Sequence, residues 1–233
     1  MTKDKIIHGI SASWRFLSAL KLEQTFANYS PLSLSREFLD KALDPECGLE
    51  QLYLTGLSNV DYNIQLIDFS YLQFGMLDER KIRYSFYPNP FLGNESGTLE
   101  LITEMSELVE QGEVSIDEYL QLVAEHRSSV YPPVLRYEYA PDSYEIWKHP
   151  ASHFHIGQHG ESRWPVRRML TPLAFTMFVC KLFYSKRWHK NDEIELNGIR
   201  KNIEQYYIEQ RTHCPELEDE HFDPEERRQF KFE

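Results

Sequence analysis

The sequence predicts an α+β fold, with an antiparallel sheet of about four strands and helices packed around it. Segments rich in β-branched and aromatic residues occupy the middle of the chain, and helical periodicities lie at both ends. No Pro/Gly/Ser-rich linker divides the 233 residues, a length that can bury one large core. We therefore expect a single domain over residues 1–212 and an acidic, partly ordered tail over residues 213–233.

Two amphipathic helices are expected before the first strand. Apolar residues recur at roughly helical spacing from Ile6 to Phe26, which predicts the first helix. Ser33 is expected to cap the second, which Pro45 and Gly48 end. These helices form the N-terminal layer of the predicted fold.

A β-hairpin and an inserted helical hairpin come next. The segments 62–77 and 81–87 alternate in strand fashion around a polar turn, and prolines follow them. A helix is expected to start at Ser96 or Thr98 and to end at Glu110. The run 115–118 is a capping box that opens another helix, reaching about His126. The helical pair therefore interrupts the order of the strands.

Two more strands and two more helices complete the predicted order. The strands are expected at 134–140 and 151–158. Thr171 followed by Pro172 is typical of a helix start, and the apolar stretch 170–184 predicts a buried helix. Asp192 with Glu195 is expected to cap a final helix that extends through Tyr207.

Period-two alternation predicts that polar side chains gather on one face of the sheet. Arg136 and Glu138 alternate with an apolar set on their strand, as His153 and His155 do on the next strand. If these strands pair, the four side chains share a face, and the hairpin can add three more. The expected set is Arg83, Ser85, Tyr87, Arg136, Glu138, His153 and His155.

This set has the means for acid and base catalysis on a phosphodiester. Imidazole titrates near neutral pH, and guanidinium presents a planar fork to phosphate. We expect His153 and His155 to act as an acid/base pair, with Glu138 orienting one ring. The phosphate would be held by Arg136 and Arg83, as in a metal-independent ribonuclease. Further substrate-binding residues are expected to be Tyr87, His159, Arg163, Arg167 and Arg168.

Two alternatives to this catalytic interpretation stay open. The Arg, Glu and His side chains can instead form a satisfied ion-pair network beneath a covering helix. A metal ion is the second alternative, because His-x-His on a strand with a third His or Glu can hold zinc or manganese. His149 and His159 add to the possible ligands. No other cofactor is expected, since Gly-rich phosphate loops and a dinucleotide fingerprint are absent.

Charge and cysteine content bear on partners and location. The formal charge of −12 argues against bulk electrostatic binding of nucleic acid, although the segment 148–168 is locally basic and could contact RNA or DNA. Acidic helices suggest a second function class, a non-catalytic partner or scaffold subunit that binds another protein. Three scattered cysteines and no recognisable signal peptide predict a cytoplasmic protein, and no membrane association is expected.

The set of motifs resembles one protein family. The motifs are Tyr84–Phe91, Leu135–Tyr139 and above all the block His149–Gly157. Trp164-Pro165 and Leu170–Pro172 follow this block. The chain resembles the uncharacterised bacterial family known as domain of unknown function 2290. The His-x-His-x-Gly block is also similar to that of small toxins in toxin–antitoxin modules. The family resemblance implies a soluble bacterial protein encoded near mobile-element or phage-defence genes, and the resemblance to toxins implies nucleic-acid cleavage.

Overall fold

A computed structural model of the protein describes most of the chain. The residues described are 1–91, 101, 104–105, 107–109, 111–125, 131–159 and 162–229. The helices are α1 (Lys3–Ala19), α2 (Arg36–Leu43), α3 (Leu49–Ser58), α4 (Ile116–Glu125), α5 (Pro172–Phe183), α6 (Ser185–Lys190), α7 (Ile203–His213) and α8 (Pro224–Gln229). The strands are β1 (Glu23–Phe26), β2 (Ile64–Leu66), β3 (Tyr71–Asp78), β4 (Lys81–Tyr87), β5 (Leu135–Tyr139), β6 (Ser152–Ile156), β7 (Trp164–Pro165), β8 (Glu193–Leu196) and β9 (Ile199–Asn202).

The main sheet is an antiparallel meander. In the described part of the chain it contains seven strands in the order β1 to β7, and β8 pairs with β9 as a separate hairpin. The α+β prediction is confirmed, but the expected number of about four strands is wrong. The segment 62–77 forms two strands, because Phe69 adopts a positive φ of 65° in the turn between them. Short β1 and two-residue β7 extend the two edges.

The first helix ends earlier than its periodicity predicts. Lys21 has a φ of 55°, and the backbone N–H of Leu22 donates to the carbonyl of Leu17. This is a Schellman-type helix end, which normally uses glycine at the left-handed position. Because lysine occupies that position, the sequence contains no visible stop, and residues 23–26 become an edge strand instead of helix.

The final predicted helix is also corrected. Residues 193–202 form the β8–β9 hairpin, in which Asn197 and Gly198 have φ values of 53° and 77°. Two consecutive positive φ values at Asn-Gly are typical of a type I′ hairpin turn. The following helix starts after Asn202, whose side chain accepts a hydrogen bond from the backbone N–H of Gln205.

Helix caps account for the other boundaries. Ser35, and not Ser33, caps α2 by accepting from the N–H of Phe38. Thr171 caps α5, with Pro172 at its first position, as predicted. The capping box before α4 is present, because Ser115 and Glu118 exchange hydrogen bonds. The predicted helix over 96–110 has both its possible starts and its end outside the described residues.

The two faces of the sheet have different surroundings. One face packs against α1 and α5, where the ring of Phe175 lies 5.8 to 6.4 Å from three aromatic rings of the sheet, those of Phe74, Tyr84 and Phe154. On the other face, α2 and α3 cover Tyr71 and Tyr87. The polar residues of β4, β5 and β6 also lie on this second face. These polar residues therefore lie beside the part of the face that α2 and α3 cover.

The C-terminal segment packs against the connection between β5 and β6. Leu217 and Phe222 are buried in a small cluster with Ala151. The buried carboxylate of Glu226 accepts hydrogen bonds from the hydroxyl of Tyr144 and the backbone N–H of Trp147. In the part of the chain described, no helix is both long enough and apolar enough to cross a membrane.

Candidate functional site

Strand register brings the predicted polar side chains together. Strands β4, β5 and β6 are neighbours in the sheet, and residues directly opposite each other project from the same face. The apolar residues that alternate with them along the strands, among them Tyr137 and Phe154, belong to the core on the opposite face. Two rows of paired residues result, Arg83–Glu138–His153 and Ser85–Arg136–His155.

An ion pair occupies the middle of the first row. Nη2 of Arg83 lies 2.7 Å from Oε1 of Glu138, and the same carboxylate oxygen lies 4.0 Å from Nε2 of His155. Burial alone would raise the pKa of Glu138, but Arg83, the protonated forms of His155 and His153, and Arg136 outweigh it and lower the pKa below its usual range. The carboxylate is therefore ionised at neutral pH.

The two imidazoles form a buried pair with a defined proton arrangement. Nε2 of His153 lies 3.0 Å from Nε2 of His155, and Nδ1 of His153 lies 2.7 Å from the carbonyl oxygen of Pro150. A carbonyl can only accept, so Nδ1 of His153 carries a proton. Burial, followed by the neighbouring His155, lowers the pKa of His153 to about 4. The neutral ring therefore directs the lone pair of Nε2 toward His155.

A cleft of about 430 Å³ adjoins the ion pair. Arg83, Ser85 and Glu138 contribute to its wall, opposite the segment that leads into α2. His153 is fully buried and His155 is 6% exposed, so neither imidazole lies open to solvent. The ring of His149 packs edge-on against His153, with ring centroids 5.1 Å apart. Glu138 lines the cleft and the two imidazoles do not, so a molecule in the cleft would contact Glu138 before either ring.

Arg136 and Tyr87 differ in how they relate to this cluster. Arg136 lies directly opposite His155 and is half-buried. Its Nε is buried and has no hydrogen-bond partner within the described residues. Tyr87 packs against Tyr71 and Phe38, and burial raises the pKa of its phenol. Arg136 is therefore a second cation of the cluster, whereas Tyr87 belongs mainly to the aromatic layer beneath α2 and α3.

The structure does not bring the other predicted substrate-binding residues to the cluster. The ring Nε2 of His159 lies 3.0 Å from the carbonyl oxygen of Cys47, and Arg163 is exposed. Arg167 and Arg168 both pair with Glu216 of the C-terminal segment. The carbonyl of Arg168 also accepts from the hydroxyl of Ser152, which lies on the opposite face from the imidazoles. These two arginines therefore hold the C-terminal segment.

Three contributors to the site were not predicted from the sequence. The carbonyl of Pro150 fixes the ring of His153, and the segment 32–39 forms a wall of the cleft. Glu226 holds the connection that carries Pro150. No residue pattern marks a backbone carbonyl as a ring anchor, and the contact of Glu226 joins positions 79 residues apart. Such contacts become visible only when the fold is known.

Comparison with known proteins assigns a family. A model of an uncharacterised conserved protein family, DUF2290, matches residues 25–233, which is most of the chain. No curated protein and no solved structure shows significant similarity to the sequence. The match includes every strand from β2 to β9 and all residues of the cluster. The chain belongs to the DUF2290 family of uncharacterised conserved proteins.

Proposed function

We propose that this protein is a nuclease-like enzyme that cleaves phosphodiesters. The observation that carries the proposal is the row Arg83–Glu138–His153, which runs from a cleft wall to a buried imidazole pair. Phosphodiester cleavage requires cations for the phosphate and groups that move protons, and both kinds are adjacent here. The bacterial phage-defence or toxin–antitoxin setting is part of the proposal and is supported by resemblance in sequence alone.

Arg83 and Arg136 are the proposed phosphate-binding groups. Arg83 is half exposed beside the cleft, so an anionic substrate can reach its guanidinium without unfolding the site. Arg136 is only two residues from Glu138 on the same strand, and its Nε–H has no hydrogen-bond partner among the described residues. Guanidinium groups suit phosphate oxygens because they donate in a planar fork.

Glu138 and the imidazole pair are the proposed proton-transfer groups. Glu138 lines the cleft and lies 4.0 Å from His155, so it is placed between the substrate region and the two rings. His153 is fixed by Pro150 and presents a lone pair to His155. In this account Glu138 orients His155, while His153 and His155 share the proton that is gained and lost during cleavage.

The direct experiment is a cleavage assay on purified protein. Single- and double-stranded RNA and DNA are incubated with the wild type and with His155→Ala, with and without a chelator. The proposal predicts cleavage by the wild type and strong loss in the variant. The chelator arm separates a metal-dependent reaction from a metal-independent one. Equal inactivity of wild type and variant on all four substrates, with and without added divalent metal, would remove the enzymatic proposal.

A second candidate function is binding of another protein through the acidic helix α4. Ile116 and Leu120 lie four residues apart on this helix and are each more than half exposed. Asp117, Glu118 and Glu125 give the same helix negative charge. An apolar pair within an acidic surface suits a partner that carries a basic rim around an apolar pocket.

The two functions are separated by co-purification with affinity-tagged protein from the native host. A partner role predicts that Ile116→Ser with Leu120→Ser abolishes capture of a protein, while His153→Gln and His155→Ala retain it. Capture that instead depends on both histidines, or that is absent for the wild type, would contradict the partner role.

A further inference from the structure

We infer that Glu138, His153 and His155 form a binding site for one divalent transition-metal ion of the zinc class. In the described part of the chain, these residues form the one group of three or more His, Cys, Asp or Glu side chains able to hold such an ion. Their ligand atoms all lie within 4.8 Å of one another. The inference concerns binding, and it stands whether or not the protein cleaves phosphodiesters.

The distances are close to those of a zinc site. Two ligands about 2.1 Å from a tetrahedral ion are separated by about 3.4 Å, and the two Nε2 atoms lie 3.0 Å apart. The carboxylate oxygen, at 4.0 Å from Nε2 of His155, has to move inward by about 0.6 Å to reach a similar separation. Rotation within the side chains of Glu138 and His155 can supply movements of this size.

The imidazoles are held as metal ligands require. His153 donates Nδ1–H to the carbonyl of Pro150, a contact of the kind that fixes the tautomer and the ring orientation of zinc-bound histidines. Its Nε2 therefore carries a lone pair, which is directed toward His155 within the cluster. Nε2 of His155 faces this same point, so the two rings converge on a proton or on a cation.

The carboxylate also has an outer partner. Arg83 binds Oε1 of Glu138 from the cleft side, which limits the positions that the carboxylate can adopt. The rings of His149 and His153 are 5.1 Å apart, and Nδ1 of His149 is buried without a hydrogen-bond partner in the described chain. A buried polar atom without a partner calls for a ligand or a water molecule. This atom therefore supports a polar occupant beside the cluster.

Two neighbouring cations lower the expected affinity of the site for a metal ion. The guanidinium groups of Arg83 and Arg136 face the same cluster, whereas Glu138 is the one carboxylate of the three proposed ligands. With two neutral imidazoles and one carboxylate, the site would keep an open position, as catalytic zinc sites do. An anionic ligand such as phosphate at this open position would offset the charge of the ion and the arginines.

The competing account is a proton shared between His153 and His155 with no ion at all. Metal binding has to displace this proton, so the two accounts differ in a measurable way. Apo protein prepared with chelator is titrated with Zn²⁺, and bound metal is counted after desalting. Co²⁺ serves as a second probe because its visible absorption reports nitrogen and oxygen ligation. The inference predicts one ion per chain and proton release on binding.

Variants identify the ligands. Glu138→Gln keeps the size of the side chain and removes the charge, and His155→Ala removes one imidazole. Both are expected to weaken Zn²⁺ binding at least ~100-fold, because even outer partners of metal sites contribute 10- to 100-fold. His8→Ala is the matched control, since His8 is an exposed histidine on α1, and it should bind as the wild type does.

Thermal unfolding with and without Zn²⁺ shows whether a variant is folded. The metal should raise the melting temperature of the wild type and of His8→Ala, and it should leave that of folded Glu138→Gln unchanged. A wild type that binds no ion overturns the inference, as does binding that survives in Glu138→Gln and His155→Ala. Because no substrate is present, failure of the cleavage assay does not affect this result.

Discussion

The guanidinium of Arg83 and the carboxylate of Glu138 pair directly across neighbouring strands, with Nη2 and Oε1 2.7 Å apart. Their side chains differ in environment, because Arg83 is 48% exposed whereas Glu138 is only 18% exposed. The pair therefore joins a solvent-facing cation to a carboxylate that lies beside the buried imidazoles. A substrate phosphate in the cleft would meet Arg83 first.

Replacing Arg83 should affect activity more than stability. Arg83→Gln removes a proposed phosphate donor, and loss of one preorganised donor to a transition state typically lowers kcat about 10²- to 10³-fold. The half-exposed ion pair itself should contribute no more than about 1 kcal/mol to the free energy of unfolding. Steady-state cleavage kinetics and chemical denaturation measure the two effects.

The matched control is Arg80→Gln. Arg80 forms a comparable surface ion pair with Asp142, 2.6 Å apart, at the turn beside the same strand. This variant should keep wild-type kcat. Equal kinetic losses in the two variants would show that charge in general, and not the position of Arg83, matters.

Buried His153 should make stability depend on pH. Its pKa is lowered from 6.5 to about 4, so between these values the unfolded chain binds a proton that the folded chain does not. The free energy of unfolding therefore rises with pH from about 4 to 6.5 and is then level for this group. Over this pH range, His153 should change the free energy of unfolding by about 3 kcal/mol at most. Denaturant titrations of metal-free protein at pH 4.5 and pH 7 measure it.

The comparison for this pH effect is His153→Gln, which has no ring to protonate. Its stability should change less between the two pH values than that of the wild type, while His8→Ala should follow the wild type. The same pH dependence in His153→Gln would mean that another group is responsible.

Glu226 should anchor the C-terminal segment. Its carboxylate is buried and accepts from the hydroxyl of Tyr144 and the N–H of Trp147. Glu226→Ala leaves both donors unpaired, which should cost about 1–3 kcal/mol of unfolding free energy. Denaturation and limited proteolysis of the last twenty residues report the change. Glu225→Ala removes an exposed neighbour, and an equal effect there would contradict the anchoring role.

The sequence predicted which side chains share a face, but not their burial. Strand alternation has a period of two, so the common direction of Arg136, Glu138, His153 and His155 follows once the strands pair. Burial depends on the connection that precedes β6, where His149 and Pro150 cover and fix one ring. These contacts depend on tertiary structure, and residue pattern does not encode them.

Errors in element boundaries have local causes. Lys21 and Phe69 adopt positive φ values that are unusual for such residues, so the sequence offers no sign of the helix end or of the turn. Asn197-Gly198 is a different case, because this dipeptide is a strong hairpin indicator. There the neighbouring apolar residues also recur at helical spacing, so the two sequence signals conflict.

The most direct test of the central claim, that Glu138 and His155 act as one unit, is a double-mutant cycle on cleavage. Rates are measured for the wild type, Glu138→Gln, His155→Ala and the double variant under identical conditions. Groups that act as a unit are strongly non-additive, so the double variant should be no slower than the slower single variant. Losses that multiply, or single variants as fast as the wild type, would contradict the account.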